Sequence, residues 1–116
     1  MYRHGKENWV PDFIKGRPEV SIDMIETYLH NLYAIQPDFL YSVSREFIRG
    51  CRTPILVLPD DVPAHPLQTS TDVASLAPNA EITVFPWKEP EELKQRTIDR
   101  VRRFLRSHIP MRAAAQ

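Results

Sequence analysis

The chain has 116 residues, 42% hydrophobic and 26% charged, with a formal net charge of +0, a balance that gives no global attraction to nucleic acid or to a membrane surface. Its length favours one domain, one that buries roughly 60–70% of its unfolded surface. The single cysteine, Cys51, excludes an intramolecular disulfide and a two-cysteine metal site, and eleven prolines against three glycines predict fixed turns between short elements.

In chain order, residues 1–20 read as irregular, with Trp9 and Phe13 as anchors between Pro11 and Pro18. The start Met1-Tyr2-Arg3-His4 is polar and has no apolar signal core. A helix then begins after Ser21, a good N-cap, with Asp23 and Glu26 early, where the helix dipole favours acids. Ile22, Ile25, Leu29 and Leu32 recur at steps of three and four and so share one face, and Pro37 forces an end by pushing Gln36 out of helical geometry. A shorter helix is predicted from Ser44 to Arg49, stopped by Gly50.

Pro54-Ile55-Leu56-Val57-Leu58-Pro59 follows. Consecutive apolar residues between prolines, too short for a buried helix and not alternating, predict a parallel strand covered on both faces. Pro66 suits the first turn of a helix reaching about Ala77, and Pro78-Asn79-Ala80 turns the chain into a second strand, Glu81 to Phe85, with Ile82 and Val84 on one face. A last helix from about Glu91 to His108 places Ile98, Val101 and Leu105 inward with Phe104 beside them, and Pro110 closes it. No apolar run approaches the roughly 20 residues of a membrane span, so a cytoplasmic protein without membrane contact is expected.

The stretch from about residue 44 to 109 resembles the C-terminal end of an α/β-hydrolase. Thr53-Pro54-Ile55-Leu56-Val57-Leu58-Pro59-Asp60-Asp61 is similar to that family's late strand and acid-bearing turn. Leu76-Ala77-Pro78-Asn79-Ala80-Glu81 is similar to the turn into its final strand, and Arg103-Phe104-Leu105 to its closing helix. The helix at 21–33 falls where such proteins often carry a helical cap. The resemblance implies that Asp61, or else Asp60, takes the place of the triad acid, whose task is to orient an imidazole and stabilise its charged form. Two departures stand against activity: no Gly-x-Ser-x-Gly elbow occurs, and Phe85-Pro86-Trp87-Lys88-Glu89-Pro90 carries no histidine where the catalytic one is expected.

Among the candidate site residues, Asp60 and Asp61 either serve that role or solvate a strand-end turn. His65 lies four residues after Asp61, within reach of it, and is either a base raised by that carboxylate or a polar residue before a helix start. His4, His30 and His108 have no acidic or cysteine partners at ligand spacing, so neither a metal nor a cofactor is expected. Cys51 reads as a buried, inert thiol. Trp87 is a core residue, a plug where a substrate pocket would be, or an interface anchor. Arg96, Arg100 and Arg103, flanked by Arg102 and Arg106, form a stripe that either grips phosphates or is a solvated face paired with Glu92 and Asp99; no aromatics interleave it, which argues against nucleic acid.

The fold expected is therefore α/β, a minimal β-α-β unit with two parallel strands flanked by helices. Residues 1–43 form an N-terminal segment with a cap-like helix, 44–110 the hydrolase-like unit and 111–116 a frayed tail. The function expected is a C-terminal hydrolase-like piece or remnant without activity of its own. Two alternatives are a subunit of a hydrolase completed by a chain supplying the serine elbow and histidine, and an oligomeric interaction module. Two parallel strands do not stand alone as a sheet, so a homo-oligomer or a complementing chain is the expected partner.

Overall fold

The computed structural model describes residues 2–110, except the side chains of Tyr2 and His4; the expected tail at 111–116 lies outside the described residues. Where the length favours one domain, the chain folds as two compact units, Met1–Ile48 and Arg49–Gln116.

In the first unit the segment expected to be irregular contains two short helices, α1 (Tyr2–Asn8) and α2 (Val10–Ile14), ahead of α3 (Ile22–Tyr33). Pro11 does not prevent this, because it sits in the first turn of α2, where its missing N–H would have had no helical partner. Gly5 is buried under the indole of Trp9, an approach that leaves no room for a side chain: a Cβ there would lie 2.8 Å from Trp9 Nε1. Trp9 in turn meets Phe13 edge-to-face at 5.7 Å. The Ser21 hydroxyl accepts from Met24 N–H at 3.2 Å, so α3 starts where its sequence says. It ends at Tyr33, well before Pro37, with Ala34 N–H closing on His30 C=O.

The core of this unit is Val10, Ile25 and Leu29, covered by Trp9, Ile14, Val20 and Tyr33. The expected α3 face is thus only partly buried. Ile25 and Leu29 are inside, Leu32 is half-buried, and Ile22, in the first turn, remains 49% exposed. After α3 the chain passes through Phe39 and Tyr41, both in the left-handed region at φ 58° and 62°. Helix α4 (Arg45–Gly50) follows, with the Ser44 hydroxyl accepting from Phe47 N–H.

The second unit is the expected strand, helix, parallel strand: β1 (Ile55–Val57), α5 (Leu67–Leu76) and β2 (Ala80–Ile82), then α6 (Glu91–Ser107). Ile55, Leu56 and Val57 face Ala80, Glu81 and Ile82 in parallel register, and α5 packs on both strands. Three details differ from the sequence reading. All of β1 is half-buried rather than covered on both faces. β2 stops at Ile82: Thr83 N–H still reaches Val57 C=O at 3.0 Å, but Val84 and Phe85 turn out to 58% and 44% exposure. On α6 the inward line runs through the buried Thr97, with Ile98, Val101 and Phe104 half-buried, while Leu105 is 60% exposed.

Candidate functional site

In a parallel sheet the loops that leave the C-terminal strand ends lie side by side, which is where α/β proteins gather functional groups. Here those loops are Leu58–Val62 after β1 and Thr83–Pro90 after β2, and two contacts tie them together across 28 residues of sequence. The Trp87 indole N–H donates to Pro59 C=O at 2.8 Å, over a proline whose side chain is fully buried. Next to it, Lys88 Nζ donates to Asp60 Oδ2 at 2.6 Å, with the same ammonium 5.6 Å from the Trp87 ring centroid.

Asp60 is held further by its neighbour: Asp61 N–H donates to Asp60 Oδ1 at 3.0 Å. The Lys88 hydrogen bond and then this backbone N–H stabilise the charged carboxylate, and they hold it below the usual aspartate value of 3.8. Asp61 turns the other way, accepting from Leu67 N–H at 3.4 Å, where it supplies the first turn of α5 with the acceptor that Pro66 lacks. The two carboxylates therefore do not act as one pair.

His65 is brought near this turn, but not into it. Its backbone pairs with Val62 in both directions, His65 N–H to Val62 C=O at 2.8 Å and the reverse at 3.3 Å. Among the described residues no hydrogen bond joins its imidazole to Asp60 or Asp61. The expected reach back to Asp61 is not made as a hydrogen bond; Asp61 Oδ1 instead accepts from Leu67 N–H. Thr83, at the end of β2, is buried and its hydroxyl has no partner among the described residues.

The other candidates disperse. Arg96 pairs with Glu92, Arg102 with Asp99, and Arg100 reaches Glu81 and the Ile82 carbonyl, so the basic stripe is largely neutralised. Cys51 is half-buried rather than buried. Among the described residues no group of His, Cys, Asp and Glu is arranged to hold a metal ion, and no helix is long and apolar enough to cross a membrane. In the first unit an apolar groove of about 330 Å³ runs between Phe13, Val20, Met24 and Tyr28, with no charged group lining it.

Sequence reasoning missed Lys88, the residue that engages Asp60, the alternative candidate acid. Its only local signal was position: it stands in the loop after the last strand, where the hydrolase resemblance asks for a histidine. No known protein family matches the chain, nor does any curated protein or solved structure.

Proposed function

We propose that the chain is an α/β-hydrolase-like C-terminal unit without catalytic activity of its own. The observation that carries this reading is the Lys88–Asp60 pair. An ammonium from the loop in which the resemblance expects the catalytic imidazole binds Asp60, the alternative candidate for the acid at the strand end. The Lys88 ammonium donates to the Asp60 oxygen that an imidazole N–H would otherwise use. Trp87, hydrogen-bonded to Pro59, fills the space beside it. The two contacts tie the loops after β1 and β2 to each other.

Hydrolysis of a p-nitrophenyl ester by the purified chain tests this. The expected result is turnover indistinguishable from buffer. Turnover above buffer that vanishes in Asp61→Ala would overturn it.

One observation favours the second reading, an enzyme completed by another chain. Among the described residues Asp61, the acid that the resemblance selects first, accepts only the long bond from Leu67 N–H, which leaves its second oxygen for an imidazole. A second chain that confers ester turnover, lost in Asp61→Ala, would move the assignment to that reading.

A further inference from the structure

The two edges of the β1–β2 sheet are not equivalent. Ile55 N–H bonds to Asn79 C=O and Thr83 N–H to Val57 C=O, so Ile55 and Val57 direct their backbone groups toward β2. By alternation, Leu56 presents both its N–H and its C=O on the opposite edge, while Ala80 and Ile82 present theirs on the outer edge of β2. On the β2 edge one acceptor is already taken: the Arg100 guanidinium donates to Ile82 C=O at 3.1 Å and to the Glu81 carboxylate beside it at 3.2 Å. On the β1 edge no partner reaches Leu56 N–H or C=O among the described residues. An open edge of that kind is a template for strand addition.

We propose that the β1 edge pairs with the β1 edge of a second copy of this chain, antiparallel, about a two-fold axis at Leu56. Leu56 offers one donor and one acceptor at the same point, which is what a residue opposite its own symmetry mate needs. Leu56 exchanges both bonds with its mate, and Leu58 N–H reaches Pro54 C=O on either side, the return bond to Leu58 C=O being absent because proline has no N–H. The same register sets Arg52 of each copy opposite Asp60 of the other, with Asp61 next to it. Asp60 is already paired with Lys88, but Arg52 is exposed with no carboxylate partner among the described residues and Asp61 is exposed beside Asp60, so the contact sets opposite charges together as well as hydrogen bonds. The result is one sheet in the order β2–β1–β1–β2, which lifts a two-stranded sheet above the size that is marginal in water.

The inference rests on the reading that another chain completes the sheet, and it is separable from the absence of activity, which the ester assay reads alone. Light scattering at tens of micromolar should give twice the 13.5 kDa chain mass. Arg52→Glu should raise the dimer dissociation constant about tenfold or more, because it faces an acid across the axis. In a Cys51→Ser background, Leu56→Cys should form a 56–56 disulfide under oxidised glutathione, since Cα atoms about 5.5 Å apart fall within disulfide range, whereas Ala80→Cys should not. A monomer at that concentration would overturn the proposal. So would a dimer indifferent to Arg52→Glu, or one that cross-links at residue 80 and not at 56.

Discussion

Leu29 is the side chain on which the first unit depends most. It is 0% exposed and packs with Val10 and Ile25 beneath Trp9, Ile14, Val20 and Tyr33. Replacing it by alanine removes three buried carbons and leaves a cavity in a small core, a change that costs about 2.7–5 kcal/mol at fully buried leucines. A unit of about 48 residues has only about 2–7 kcal/mol in total, from roughly 0.05–0.15 per residue. Leu29→Ala should therefore leave this unit at the edge of unfolding, with its midpoint lowered by at least about 10 °C given roughly 4–8 °C per kcal/mol in small domains. The chain supplies its own reporter, since Trp9 lies against this core and the other tryptophan, Trp87, lies in the second unit. Thermal melts followed by Trp9 fluorescence, with Trp87→Phe in both the parent and the variant, isolate the transition. An unchanged Trp9 midpoint would refute the reasoning, because it would mean that Leu29 is not holding α3 to α1 and α2.

Gly5→Ala tests the close approach beneath Trp9. Alanine for glycine inside a helix ordinarily gains about 0.8–1 kcal/mol, but a Cβ 2.8 Å from Trp9 Nε1 and 3.3 Å from Leu29 Cδ2 costs about 1–3 by overpacking, so the Trp9 midpoint should fall. A raised midpoint would show that the indole moves aside freely. The Asp60–Lys88 tie should show in pH. A carboxylate whose folded pKa lies below its unfolded value adds stability above the ordinary carboxylate range, and that stability is lost as pH falls through the folded value. The contribution should therefore be intact at neutral pH and fade below about pH 4. Following the Asp60 carboxyl carbon by NMR, Lys88→Met should raise its midpoint, and an unmoved midpoint would mean that the pair is not formed in solution.

Local chemistry made a good part of this fold legible. Ser21 and Ser44 carry side-chain acceptors that cap the first turns of α3 and α4, and such caps act within three residues of sequence. Pro54 and Pro59 bracket the run that became β1, and Pro66 and Pro78 bracket α5, because proline removes a donor and fixes φ wherever it stands. The order of strand, helix and parallel strand followed from those bounds. Of the candidate site, Asp60 and Asp61 were visible as paired acids at a strand end.

What the tertiary structure decided lies in contacts between residues far apart in sequence. Helices α1 and α2 form where Trp9, between them, closes over Gly5 and packs on the core of Val10, Ile25 and Leu29, a packing gain that outweighs the weak local preference of a segment containing glycine and proline. Leu105 is exposed despite its helical spacing, since periodicity marks a face but only packing fixes how far along the helix that face is covered. Lys88 meets Asp60 across 28 residues, and Arg100 meets Ile82 across 18, so no window of sequence contains either pair. Parallel pairing of β1 with β2 brings those loop ends together, and side-chain reach then determines that Asp60 finds a lysine and that Arg100 takes one carbonyl of the β2 edge.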